Sequence, residues 1–217
     1  MSTAVAATLP AGQWLRLSNV DWMMYSRLLR PFAESPGVRL TYDCGELEII
    51  APLFRHDYDS RFLGRIVQLV TMELGLPLIG GGSVTVWRRA KNRGIEADDY
   101  LWIANAHRMR GRRRLDLRRD PPPDLAIEVD VSNSSLDRLA IYAALRVPEI
   151  WRLTNRDVLT FHALDANGEY QVAQTSLAIP VLTPAKVLEF LQLARESGDQ
   201  NPIARRVMQW ARKNKGT

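Results

Sequence analysis

The chain has 217 residues, 46% of them hydrophobic and 24% charged, with a formal net charge of +5, the balance of an ordinary soluble globular protein and not of a disordered tail. A single cysteine, Cys44, excludes an intrachain disulfide and any Cys-x-x-Cys metal or redox motif. No stretch has the apolar length of a membrane span, and the start MSTAVAATLPAGQ lacks the pattern of a signal peptide, so the expected setting is a reducing cytoplasm.

One domain is expected over residues 1–217, with a core at about 20–190 and a basic helical tail. In SNVDWMMYSRLLRPF, Ser18 and Asp21 have capping-box spacing before an apolar run through Met24, Leu28 and Leu29, which predicts a short helix. VRLTYDCGELEII then alternates on either side of Asp43, Cys44 and Gly45, the pattern of a hairpin. From His56 to Leu74 the apolar residues Phe62, Leu63, Ile66, Val67, Val70 and Leu74 recur at helical spacing, so this helix should cover a sheet. LPLIGGGS reads as a break. SVTVW and GIEADDYLWI read as strands joined through Lys91, Asn92, Arg93 and Gly94.

The next segment, HRMRGRRRLDLRRD, holds seven arginines and two aspartates, a formal +5 that leaves the remainder of the chain formally neutral. Arginine offers phosphate a planar, permanently charged donor array, so Arg110, Arg112, Arg113 and Arg114 are candidate nucleic-acid contacts; the other reading is a solvated loop. PPPDLAIEVDVSN follows. On a strand, Leu125, Ile127, Val129 and Val131 share one face, and Asp124, Ala126, Glu128 and Asp130 the other. Two charges about 7 Å apart repel by about 2 kcal/mol at an effective dielectric of 20, so a cation is expected near Glu128 and Asp130. SSLDRLAIYAAL is a predicted helix with Ser134 and Asp137 at capping-box spacing. EIWRL, VLTFHAL and GEYQVA are predicted strands, and the chain from Ala185 is mainly helical. The order predicts an α/β (α+β) fold, a mixed sheet flanked by helices.

If GIEADDYLWI is one strand, Glu96 and Asp98 share a face with Tyr100 and Trp102, while Asp99 interrupts the apolar face opposite. Asp98 and Glu128 on paired strands would form an oxygen-rich pocket suited to Mg²⁺ or Mn²⁺; alternatively these acids are exposed and pair with arginines. His56, at the start of its helix, is a candidate proton shuttle or phosphate contact, or a local capping residue. Glu46 and Glu48 either extend the acidic site or are solvated on an edge strand. His107 and His162 have no partner at metal-ligand spacing and are read as structural, and Trp87, Trp102 and Trp151 as core.

GIEADDYLWI, followed by LDLRRDPPPDLAIEVDVSNSSLDRLAIYAALRVPEIWRL, resembles the Uma-type restriction-endonuclease family, as do YDCGELEIIAP with its following His56 and GGGSVTV. The resemblance implies the restriction-endonuclease-like fold of the PD-(D/E)xK nucleases, in which an Asp and a Glu from successive strands hold a divalent metal. It places Asp98 and Glu128 as those acids, with Asp130 where the usual motif has lysine. The family's lysine is relocated to the next helix, four residues before Tyr142, where this chain has Arg138. Arginine cannot act as a general base but can stabilise phosphorane charge. Arg146 stands where the family has glycine, a substitution costing about 1 kcal/mol if that residue is left-handed. The expected activity is Mg²⁺- or Mn²⁺-dependent DNA hydrolysis, with Asp98, Glu128, Asp130 and Arg138 catalytic and the first three on the metal. The alternative is a non-hydrolytic nucleic-acid-binding or regulatory protein on the same scaffold. Cutting both strands usually needs two active sites, so a homodimer is expected on the nuclease reading.

Overall fold

The computed structural model describes residues 9–33, 38–113, 115–130 and 136–215; Arg114, Val131 and Ser134 of the readings above lie outside them. In chain order the elements are β1 (Trp14–Leu17), α1 (Trp22–Ala33), β2 (Arg39–Asp43), β3 (Glu46–Ile50), α2 (Phe54–Leu74), β4 (Ile79–Gly82), β5 (Thr85–Arg88), β6 (Arg93–Glu96), β7 (Asp99–Trp102), α3 (Ala106–Met109), β8 (Leu125–Val129), α4 (Arg138–Leu145), β9 (Glu149–Leu153), β10 (Leu159–Leu164), β11 (Tyr170–Ala173), α5 (Pro184–Ser197) and α6 (Gln200–Lys213).

The strands form two sheets, one ordered β1-β3-β2-β6-β5 and the other β11-β10-β9-β8-β7-β4. Every pairing is antiparallel except β8 with β9, and α4 supplies the crossover that a parallel pair requires. The expected mixed sheet flanked by helices is therefore present, with a second sheet beside it.

β8 is covered on both sides, which accounts for all five of its residues being buried. Leu125, Ile127 and Val129 face a core with Phe62, Ile66 and Val70 of α2 and with Leu191 and Val207 of α5 and α6. Ala126, on the opposite face, packs with Ile141, Tyr142 and Leu145 of α4 and reaches Val86 and Ile95 of the other sheet. A third cluster sets Tyr25 of α1 against Leu40, Tyr42 and Leu47.

The hairpin forms as its sequence predicts. Cys44 and Gly45 both take positive φ, 48° and 105°, as a two-residue turn between twisted strands demands. The helix at Trp22 begins differently from expectation: Asp21 itself accepts from Met24 N at 2.7 Å, and Ser18 donates to Glu46 on β3.

GIEADDYLWI is not one strand. It leaves the first sheet as β6 and enters the second as β7, with Ala97 and Asp98 at the crossing. The Tyr100 hydroxyl holds the step by accepting from Ala97 N at 3.2 Å and donating to Ile95 O at 3.1 Å. The expected break contains an edge strand, β4, paired to β7. Trp87 is 38% exposed, contrary to its reading as core, whereas Trp102 and Trp151 are buried. Glu48 lies on β3 between β1 and β2 and is fully buried, so it is no edge residue. Arg146 ends α4 with φ of 63°, in the left-handed region where a side chain costs about 1 kcal/mol relative to glycine.

Candidate active site

The sheet crossing positions the first acid. Asp98 N donates to Ile127 O at 3.2 Å, one step beyond the Asp99–Ile127 pair of β7 and β8, so Asp98 stands beside Glu128. Its Oδ2 accepts from Val129 N at 2.8 Å and lies 3.1 Å from His56 Nε2, while Oδ1 has Arg39 Nε at 3.8 Å. His56 reaches it because α2 starts against the end of β8.

Glu128 is held by α4. Arg138 Nη2 contacts both carboxylate oxygens, at 2.8 and 2.7 Å, and the Tyr142 hydroxyl, one helical turn further on, donates to Oε1. The same guanidinium donates through Nη1 to Thr41 Oγ1 on β2 at 2.8 Å and through Nη2 to Glu96 O on β6 at 3.2 Å. Arg138 thus ties both sheets together at the site. Asp130, just past β8, accepts from Arg152 Nε at 2.9 Å.

His56, Asp98, Glu128, Asp130, Arg138 and Arg39 line a common cavity of about 20 Å³, room for one water molecule. Three buried nitrogens among these residues, Arg39 Nε, His56 Nδ1 and Arg138 Nε, make no hydrogen bond within the described residues. An acceptor rich in oxygen, such as water or a phosphate, would satisfy them. Asp98 and Arg39 also line an open groove of about 940 Å³ between α2 and β4, together with Arg61, Gln68, Gly80 and Ser83, which connects the acids to solvent.

Burial pushes the Glu128 carboxyl above its ordinary range; Arg138 pulls it back and Asp98 pushes it further up. Burial works against a charged His56 ring, but Asp98, with Asp57 and Glu128 in support, outweighs it and raises the pKa. Asp99, packed over Gly64 of α2, is pushed up to about 6 by burial despite bonds from backbone amides. Glu96 is raised by the same cause. A site with this many under-compensated acids favours cations.

Among the described residues no three His, Cys, Asp or Glu side chains form a metal cage. A dication here would draw two carboxylates from the chain, which is the usual provision for Mg²⁺, whose remaining positions go to water and substrate phosphate. The donor atoms fit. Arg138 meets Glu128 with one nitrogen straddling two oxygens instead of a fork, so it can keep one oxygen and release the other. Among the described residues Asp98 Oδ1 has Arg39 Nε at 3.8 Å and no hydrogen-bond donor.

Asp98, Glu128, Asp130, Arg138 and His56 are thus brought together. The arginine block is not among them. Arg110, Arg112 and Arg113 follow α3 on a segment anchored by Met109 and Leu117, and none of them lines the cavity or the groove. Arg112 pairs with Asp120, and Arg114 is outside the described residues. Arg39 went unrecognised in the sequence, since a cation opening a strand carries no local signal. Tyr142 served in the sequence only to locate Arg138 four residues before it; that its hydroxyl reaches Glu128 is seen in the structure.

The family model described as "Uma2: Putative restriction endonuclease" matches residues 22–196. A solved structure, described as a putative nuclease belonging to DUF820 from Anabaena variabilis, aligns with a TM-score of 0.48 and 14% identity over 70% of this chain and 90% of its own. No curated protein matches.

Proposed function

The chain belongs to the Uma2 family of restriction endonucleases, and from that premise we propose that it is a Mg²⁺-dependent endonuclease hydrolysing DNA phosphodiester bonds at the Asp98–Glu128 pair. The observation that carries the reading is the shared cavity, in which the carboxylates of Asp98 and Glu128 meet two arginines and a histidine, each with a buried nitrogen that makes no hydrogen bond within the described residues.

Asp98 and Glu128 would hold the metal, with Asp130 at the margin because Arg152 occupies it. A bound dication supplies a water of lowered pKa and charge neutralisation at the scissile phosphate. His56 and Val129 N fix the rotamer of Asp98 so that Oδ1 is presented. Arg138 orients Glu128 and offers Nε to charge accumulating on the phosphorane; it is not the base, because its proton is not released. Arg39 lines both the groove and the cavity and contacts the phosphate as it enters.

The test is nicking of supercoiled plasmid by purified protein in Mg²⁺ or Mn²⁺. Asp98→Asn and Glu128→Gln preserve shape and should each reduce the rate by at least a hundredfold; cleavage that survives both removes the proposal. One observation favours a second reading. Arg138 sits on both oxygens of Glu128, as in a charge-balanced scaffold that binds nucleic acid without cutting it. That reading predicts DNA binding indifferent to chelator and no cleavage even by Arg138→Lys.

A further inference from the structure

We propose that the groove on the outer side of α4 is a second anion site, which holds the phosphate backbone of the nucleic acid away from the acid pair. It rests on the nuclease reading only for the identity of the polyanion.

The groove encloses about 550 Å³ and is lined by Arg88, Lys91, Arg93 and Arg146, with Asp137 and Glu169 as its acids. Arg93 is committed to Asp43 at 2.7 Å, and the exposed Asp137 carboxylate caps α4 by accepting from Ala140 N. Arg88, Lys91 and Arg146 make no ion pair within the described residues, so three cations line the groove against two carboxylates, Asp137 and Glu169, and the balance is positive. The wall between them is Ala140, Ala143 and Ala144, whose small side chains leave the room. Arg138 and Tyr142, on the same helix, serve Glu128 instead.

Arg146 carries its charge at a backbone cost. It occupies the left-handed C-cap of α4, where glycine would be free of strain, and its Nη1 lies over Gly168 of the β10–β11 turn, 3.4 Å from where a Cβ would stand. The strained position thus adds a cation to the rim of a basic groove, where an anion would meet it. The patch also extends: Arg88 Nη2 donates to Leu117 O at 3.4 Å, which joins the groove to the segment bearing Arg108, Arg110, Arg113 and Arg119. The arginine block, remote from the acid cavity, thereby gains a role. An acidic protein would look for aromatic or apolar anchors at the centre of its contact, and the only large apolar side chains here are Leu139 and Tyr170. Closely spaced phosphates need only the cations.

The experiment measures anisotropy of a labelled DNA duplex with the full chain in EDTA, from 50 to 200 mM salt. Lys91→Ala combined with Arg146→Gly should weaken binding at low salt about tenfold or more and reduce the slope of log K against log salt by about 1.8, two phosphate contacts' worth. Because Arg146→Gly relieves backbone strain, the thermal midpoint should not fall, which separates lost contacts from lost fold. Unchanged affinity and slope overturn the proposal, as does lost binding of polyglutamate with DNA binding intact, which would assign the groove to an acidic protein. Should Asp98→Asn and Glu128→Gln still cut DNA while the groove variant loses slope, hydrolysis at the pair is wrong and the groove stands. The reverse pattern removes the groove alone.

Discussion

Removing Arg138 isolates the network on which both fold and site depend. Arg138→Ala leaves the Glu128 carboxylate, 7% exposed, with Tyr142 as its remaining donor, and strands Thr41 Oγ1 and Glu96 O on the neighbouring sheet. Breaking a buried pair from one side costs about 3–5 kcal/mol; the surviving Tyr142 bond places the expected loss near 3 kcal/mol. The cost should depend on pH. Glu128 has a folded pKa above its unfolded value, so between those values the folded state binds more protons and stability falls as pH rises. Without Arg138 that pKa climbs further, so the deficit should be larger at pH 8 than at pH 5 and shrink as falling pH favours the neutral carboxyl. Urea denaturation followed by tryptophan fluorescence in EDTA measures this. Adding Glu128→Gln to Arg138→Ala should recover at least 1 kcal/mol at pH 8. A loss under 1 kcal/mol that is the same at both pH values would refute the reasoning.

Other expectations follow from single contacts. Gly81→Ala would bring a Cβ within 2.6 Å of the rigid Trp102 ring and should destabilise by about 1–3 kcal/mol. Gly80→Ala meets nothing nearer than Leu101 at 3.9 Å and should be tolerated, as melting curves of the two proteins would show. Asp59, buried on α2, accepts from Arg195 of α5 at 2.8 and 2.6 Å, so Asp59→Ala should cost about 3 kcal/mol in urea and leave a steeper loss than Asp157→Ala at the exposed end of the same arginine. NMR titration in EDTA should find His56 titrating above the ordinary histidine value and His162 below it, where burial and then Arg152 disfavour its charge. The raised His56 pKa adds stability that is full below the unfolded value and lost as pH rises through the folded one, so the gap between wild type and His56→Gln should close at alkaline pH.

The sequence by itself determined most of the local elements and named Asp98 and Glu128 as the candidate acids. Alternation and turn chemistry gave the β2–β3 hairpin, apolar spacing gave α2, and the alternation in LAIEV gave a strand with one core face; that its other face, Glu128 included, is buried under α4 came only with the packing. The i+4 relation of Arg138 and Tyr142 set two side chains on one stripe of α4, and both reach Glu128. What a periodic pattern could not contain is which sheet a strand joins. GIEADDYLWI reads as one strand because its alternation continues across Ala97 and Asp98, yet its halves hydrogen-bond to partners far apart in the chain. Only that division turns Asp98 toward His56 and Glu128 and leaves Arg39 beside them. The charge density of the arginine block is visible in the sequence, whereas its place outside the acid cavity and its groove is not. Period and composition are properties of neighbours along the chain; the meeting of β2, α2, β8 and α4 at one cavity is fixed by long-range pairing and burial, which tertiary structure alone decides.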